Sequence, residues 1–458
     1  MFEKIFLKPE KFTVILGLVF GLLLLFFNPP FQAPDEDAHL FKMWSMLDGN
    51  FTFDVYRGQR GHIIPLSLAK MAEQNEPMKF NLGVRLNIKG FSYLKNIKLN
   101  KEKKVFYNQT PTGYTIISYI PAIFVLAVLK FFNVNPLYMI YILRFCCLLV
   151  YLALIYNAIK ITPCHKWLFA FLALIPSGIY IAGAINTDCL VIGLGFLLIA
   201  YTLKLKFDKA ITQISNKQLL FWGILFTLLC TMKYLYLPFI LLYLLLPKDK
   251  FSIPAKYYNV MFIIALINII YNIYFIWNIL HFADLGLDRY NDGSASKFET
   301  MKFILEHPVQ LIHNFIIVHS QTINKLLMLF VAQFGWSPVG IELLYVIIYF
   351  LLIGGSIFYQ NDIGISINIK DKLIMFAVVL FSYCFILLSI FMLYRNYDAM
   401  QARYALPYIP LLFLVFTTNK INFSNKVFYF ISIIALVLVY INCCKILTDR
   451  FYIFPYTG

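Results

Sequence analysis

Apolar runs long enough to cross a bilayer recur from one end of this chain to the other. They stand at Phe12–Phe27, Leu137–Ile159, Leu168–Ile185, Leu190–Leu203, Leu219–Met232, Tyr234–Leu246, Tyr257–Leu280, Val339–Phe358, Leu373–Leu393, Ala405–Phe416 and Val427–Ile446. A hydrocarbon core of roughly 30 Å takes about 20 helical residues. In lipid every backbone N–H and C=O is satisfied inside the segment, so such runs commit the chain to a helical bundle. The predicted fold is all-α: one polytopic membrane domain over residues 1–458 with about eleven transmembrane helices. A chain that is 60% hydrophobic and only 14% charged fits no globular alternative.

The basic loops set the orientation. Lys4, Lys8 and Lys11 place the N-terminus in the cytoplasm, and the first run reads as a retained signal anchor. Keeping the loops around Lys160/Lys166, Lys204–Lys217 and Lys248–Lys256 inside leaves Asp188 and Lys233 outside. That parity holds only if Gly113–Phe132 does not cross and lies as a re-entrant or interfacial helix. A first external loop then covers about residues 29–136 and carries interfacial helices. A second covers about 281–337, where Val309–Phe330 has too many polar residues for a lipid-exposed crossing. No segment repeats another.

The net charge of +16 does not indicate nucleic acid, because the cations sit beside apolar runs and form no basic stripe. Seven of the eight cysteines lie in or beside apolar runs and none forms a CxxC pair, so neither zinc nor disulfides are expected. His313 and His319 are too far apart on one helix for a metal pair.

One polar stretch stands out. Pro29–His39 leaves the first apolar run with three prolines, then stacks Asp35, Glu36 and Asp37 before His39 at a membrane–water interface. Acids are costly there unless something uses them. Leu40, Met43, Trp44 and Leu47 continue as a surface-lying helix on which Asp35 and His39 share a face. On the charge-derived topology Arg144, Asp188, Lys233, Asp398 and Arg403 gather on the same outer side. Cations near acids suit an amphiphilic substrate with an anionic group: Lys233 and Arg403 grip a phosphate while a carboxylate takes a proton from an acceptor hydroxyl. Each residue also has a plainer role. The acids complement a helix dipole, His39 is a capping or core histidine, Asp188 caps a helix, Lys233 snorkels, and Arg403 is a topology charge.

An Asp-Glu pair just outside the first crossing resembles the GT-C class of membrane glycosyltransferases, among them protein O-mannosyltransferases and lipid A aminoarabinose transferases. Pro34-Asp35-Glu36-x-x-His39 followed by Gly49 is more closely similar to a bacterial multi-pass family of unknown function grouped with that class. Further stretches resemble that family in order: Thr110-Pro111-Thr112-Gly113-Tyr114, Leu143-Arg144, Pro176 through Asn186-Thr187-Asp188, Lys233-Tyr234…Pro238, Phe334-Gly335-Trp336, and Gln401-Ala402-Arg403-Tyr404…Pro407. Thr112 and Ala402 depart from its Pro and Gly, and Leu143-Arg144 reverses its order.

The resemblance implies an inverting, GT-C-like transfer of a sugar from a polyprenyl-phosphate donor to a glycan, lipid or protein acceptor. The place is the outer face of the bacterial cytoplasmic membrane, in cell-envelope or lipopolysaccharide assembly. It implies Asp35 as base with Glu36 as helper. Lys233 and Arg403 hold the lipid phosphate, and His39, Asp37, Arg144, Asp188 and Gln401 line the substrate site. No cofactor is required by the pattern; a divalent ion (Mg or Mn), if used, falls to Asp35 or Asp37. The rival classes are a transporter or flippase for lipid-linked glycans and a non-catalytic scaffold, and the absence of repeats favours the enzyme.

Overall fold

The computed structural model describes residues 8–86, 92, 94–109, 114–284, 297–336, 339–358, 365–394, 401–417 and 425–453. The described residues are mostly helical. Helix α1 (Pro9–Phe27) runs up to the Pro29–Pro34 turn, and α2 (Glu36–Leu47) follows. Six helices among the described residues are long and apolar enough to cross a membrane. They are α1, α6 (Pro136–Ile161), α9 (Asp188–Phe207), the Pro254–Tyr274 part of α11 (Pro254–Asp284), the Ile369–Met392 part of α15 (Ile369–Tyr394), and Val427–Ile453. The protein is a multi-helix membrane protein.

Helix α9 is the central post. It packs on α6 and α10 (Asn216–Met232), and 83% of its apolar window is buried against 17% for α11 (Pro254–Asp284). Helix α1 lies along α6.

Three expected crossings take other forms. Leu168–Ile185 is not one helix but two, α7 (Lys166–Ala173) and α8 (Pro176–Ala182). Pro176 has no N–H to donate and holds Ile175 in an extended conformation (φ −56°, ψ 126°), which ends α7. Tyr234–Leu245 winds as a 3₁₀ helix with Pro238 inside it, and Ala402–Tyr408 is a second 3₁₀ turn leading into α16 (Ile409–Val415). The stretch expected to lie at the interface is helical over Ile116–Phe131, ending in α5 (Ile120–Phe131). Val309–Phe330 falls within α13 (Pro308–Val331).

The long polar stretch after α1 adds a small sheet to the mostly helical fold. It carries a three-stranded antiparallel sheet, β1 (Asp54–Tyr56), β2 (Gln59–Pro65) and β3 (Lys104–Asn108), in that order. Tyr56 pairs with Gln59, so Arg57-Gly58 is a two-residue turn, and both residues have positive φ (50° and 74°). That geometry matches the right-handed twist of a hairpin and needs glycine at its second position. Arg-Gly in a long polar stretch is a weak signal. Helices α3 (Leu66–Asn75) and α4 (Pro77–Phe80) stand between β2 and β3 in the chain.

Candidate functional site

The site is built on the start of α2. Asp35 is its N-cap residue and sits in the left-handed region at φ 64°, a conformation that aspartate tolerates better than most residues. Successive residues of a helix step round by about 100°. The three consecutive acids therefore point three ways, and each meets a different cation.

Glu36 points inward. Its side chain has no exposure, and Arg144 on α6 has 1%. Arg144 Nε donates to Glu36 Oε1 (2.7 Å) and Nη2 to Oε2 (2.6 Å). The other guanidinium donors reach the carbonyls of Leu25, Asn28 and Pro29. Glu36 also accepts from the Phe31 and Ile185 N–H groups (2.9 and 3.2 Å). An arginine has five N–H donors, and all five are engaged. The geometry thus corrects the expected substrate-side roles of Arg144 and Glu36: they staple the end of α1 to α2, α6 and the loop before α9.

Asp37 turns to α4. It accepts from Lys79 Nζ at 2.6 Å, and Lys79 also reaches Glu76 (2.9 Å) and lies over the Trp336 ring. Burial leaves the Asp37 carboxyl above its usual value even with Lys79 beside it. Asp37 therefore stands apart from the other two acids' partners.

Asp35 alone faces the cluster. Arg403 Nη2 donates to Asp35 Oδ2 (2.7 Å) and Nη1 to Asp188 Oδ2 (3.2 Å). The other Asp188 oxygen accepts from Lys233 Nζ. The four residues form one alternating chain: Asp35, Arg403, Asp188, Lys233. Three of them are nearly closed off, with side-chain exposures of 9%, 5% and 6%, whereas Asp35 keeps 40% although protein crowds it. Asp35 is thus the exposed end of the chain.

Helix ends bring these residues together. Asp188 is the first residue of α9, with the Asn186 side chain accepting from its N–H (2.8 Å), so Asn186 does the capping and the carboxylate stays free for the cations. Lys233 caps the C-terminus of α10. Arg403 comes from the 3₁₀ turn, which lies against α9 at Gly195; a Cβ there would sit 2.6 Å from the Pro407 carbonyl. Only glycine permits that approach.

His39, one turn into α2, is joined to Tyr119 by a 2.7 Å hydrogen bond at Nδ1 and stacks on Tyr114 (centroids 5.3 Å apart). Burial pushes its ring down to about 4, against the pull of Asp35 and Asp188, so it is neutral at pH 7. For Asp35, burial works upward, but the Arg403 guanidinium outweighs it and holds the carboxyl below its usual value. Gln401 precedes the 3₁₀ turn, and its Oε1 is buried without a partner among the described residues. Tyr404 presents its ring to Lys233 and Arg403 at 5.3 and 5.5 Å.

These donors do not suit a divalent ion. Asp188 spends both oxygens on cations, Asp35 faces a guanidinium, and Asp37 points elsewhere. Among the described residues no cluster of three or more His, Cys, Asp or Glu could hold a metal.

The structure brings together Asp35, His39, Asp188, Lys233, Arg403 and, on the same turn as Arg403, Gln401; it does not bring in Glu36, Asp37 or Arg144. Thr110–Gly113 and Asp398 lie outside the described residues. Tyr119 and Tyr404 were not singled out by sequence reasoning. Tyr404 adjoins Arg403 in its motif, whereas Tyr119 carries no sequence signal. Residues 18–412 match the family model described as "Predicted membrane protein (DUF2142)". Comparison with curated proteins and with solved structures returns no match.

Proposed function

We propose that this chain, which belongs to the DUF2142 family of membrane proteins, is a GT-C-like glycosyltransferase using a polyprenyl-phosphate-linked sugar. The acceptor is a cell-envelope glycan, lipid or protein at the outer face of a bacterial cytoplasmic membrane, and the chain crosses about eleven times with its N-terminus inside. One observation carries the reading. Asp35, the partly open carboxylate of the cluster, shares a chain of ion pairs with two cations whose donors are not all spent. Lys233 has three N–H groups and Arg403 five, and Arg403 Nε has no partner among the described residues.

In the proposed reaction the acceptor hydroxyl attacks the anomeric carbon as the sugar–phosphate C–O bond breaks. The hydroxyl proton passes to the open Asp35 oxygen, and the lipid phosphate leaves with the bonding electrons. Lys233 and Arg403 stabilise the charge that develops on it. Inversion follows from a single displacement. Arg403 links the two halves of the chemistry. A phosphate that draws Arg403 away from Asp35 removes the charge that keeps this carboxylate a weak base, so donor binding itself sharpens the base. His39, neutral and held by Tyr119, positions the acceptor. No step passes through a metal ion.

The test is envelope-glycan mass spectrometry on a deletion strain complemented with wild type or Asp35→Asn. Loss of a sugar-sized mass in the deletion, unrestored by the variant at equal membrane abundance, supports the reading. Full restoration by the variant removes Asp35 as the base and brings transport of lipid-linked glycans or a scaffold role forward.

A further inference from the structure

Tyr114 borders the ion-pair chain and has no part in the reaction above. It enters between β3 and α5, two residues ahead of the Ile116–Tyr119 turn. That turn packs on α10, the helix that Lys233 caps. Tyr119 joins His39 Nδ1 through its hydroxyl, whereas Tyr114 meets the same imidazole with its ring. The two planes lie 23° apart with centroids at 5.3 Å, and Tyr114 meets Tyr119 edge-on at 6.4 Å and 87°. His39 and Tyr119 are buried, and Tyr114 is only half-buried. Two buried rings therefore hold a third that keeps an open side.

The Tyr114 hydroxyl makes no hydrogen bond among the described residues, yet it stands close to charge. Lys233 acts on it more strongly than Asp188 or Arg403 does, and on Lys233 only Asp188 acts more strongly than Tyr114. Packing alone does not call for that oxygen. A phenylalanine would stack on His39 equally well without bringing an idle polar atom to a crowded site, where an unmade hydrogen bond is costly. Lys233 and Arg403 both bond Asp188 and keep donors beyond those bonds. The two cations and the two carboxylates Asp35 and Asp188 cancel in charge, so further grip on an anion falls to neutral donors. The Tyr114 hydroxyl supplies one on the Lys233 side.

We propose that the Tyr114 hydroxyl is a third donor to the phosphate of a lipid phosphate, beside Lys233 and Arg403. This rests on the phosphate-holding role given to those two cations above. It adds a residue whose oxygen serves the headgroup while its ring lies on His39, the acceptor-side histidine.

The experiment uses the purified full-length protein in detergent and measures binding of undecaprenyl phosphate and of inorganic phosphate to wild type, Tyr114→Phe and Lys233→Gln. Phenylalanine keeps the ring on His39 and removes only the oxygen. The expected result for Tyr114→Phe is an affinity loss of about tenfold for both probes, the weight of one hydrogen bond to a charged group. Wild type is expected to hold the lipid more tightly than the free ion. Tyr114→Leu, which also lacks the oxygen, guards against one variant failing to fold and should lose at least as much. Thermal unfolding checks the fold, and the rise in midpoint with ligand reads binding a second way. If both Tyr114 variants bind both probes as wild type while Lys233→Gln does not, the hydroxyl is overturned as a donor and the cations keep their role. A loss confined to undecaprenyl phosphate also overturns it, because the hydroxyl then touches another part of the lipid. Equal wild-type affinity for the two probes makes the ligand free phosphate, and the proposal fails. If wild type binds neither probe, the proposal falls together with the polyprenyl-phosphate reading.

Discussion

Two ion-pair systems start from adjacent residues, Asp35 and Glu36, and end in opposite conditions. Glu36 and Arg144 are sealed, with every donor of the guanidinium engaged and no more than 1% of either side chain exposed. Asp35 and Arg403 have the same chemistry at a similar distance, yet Asp35 keeps 40% of its surface and Arg403 Nε has no partner among the described residues. Satisfaction separates them. A pair with nothing left to give holds backbone in place, and a pair with spare donors and an open face can still bind something. The two pairs belong together, since the sealed one fixes the loop that aims the open one.

The largest effect should come from breaking the sealed pair. Arg144→Leu leaves Glu36 fully buried without its cation and strips four elements of a common anchor. Removing one partner of a buried pair costs about 3–5 kcal/mol. Thermal unfolding in detergent should show that loss, and a double-mutant cycle with Glu36→Gln should recover part of it. A cost under about 1 kcal/mol would mean that the sealed pair is not what holds the Pro29–Pro34 turn.

The open pair should behave the other way. Asp35→Asn keeps shape and an oxygen toward Arg403, and Asp188 remains to balance that guanidinium, so stability should change by no more than about 1 kcal/mol. Transfer activity should drop by about 10²–10⁴-fold, the usual contribution of a general base. A variant that unfolds as readily as Arg144→Leu would erase the distinction between the two systems.

How much of this was legible in the sequence follows from the same distinction. Asp188, Lys233 and Arg403 were readable as partners of Asp35 because each stands as an isolated charge at the end of an apolar run, where few other roles are open to it. The run Asp35-Glu36-Asp37 misled, since adjacency in sequence suggests one cluster while helix geometry sends each acid to its own cation. Arg144 shows the limit: a lone arginine in an apolar run reads equally as ligand holder or staple, and only its partners decide. In the fold, the first crossing and the long α6, α9 and α11 stretches were plain from length and hydropathy. The break at Pro176 was written in the proline but overridden by the surrounding apolar residues. The hairpin at Arg57-Gly58 was hidden in a polar loop whose burial comes from tertiary contacts.

A pH titration sharpens the comparison further. His39 has a folded-state value of about 4, against 6.5 for a free histidine, so between those values the unfolded chain holds more protons. Stability from His39 is fully present above about pH 6.5 and is lost as pH falls toward 4. His62, also pushed down to about 4 by burial, adds a second such group in the sheet. His39→Asn should flatten the acid limb of a stability–pH curve by up to about 1.4 kcal/mol per pH unit. An unchanged limb would mean that His39 does not stay neutral beside Asp35 and Asp188.

The smallest effect belongs to the far end of α2, where a third kind of pair supplies the control. Asp48 caps the C-terminus, an unfavourable place for an acid beside a helix dipole. It accepts from Lys104 Nζ at 3.1 Å and also from Lys130 at 2.5 Å. Lys104 is 40% exposed on its side chain and Asp48 25%, so water competes for the charges. Lys104→Ala should cost about 0.2–1 kcal/mol, and the cost should shrink further in high salt. The Arg144→Leu cost should not change with salt, because ions do not reach a pair with 0–1% exposure. Equal salt sensitivity at the two ends of α2 would show that solvent enters the Glu36–Arg144 staple, and the contrast between a sealed and an open pair would then dissolve at its source.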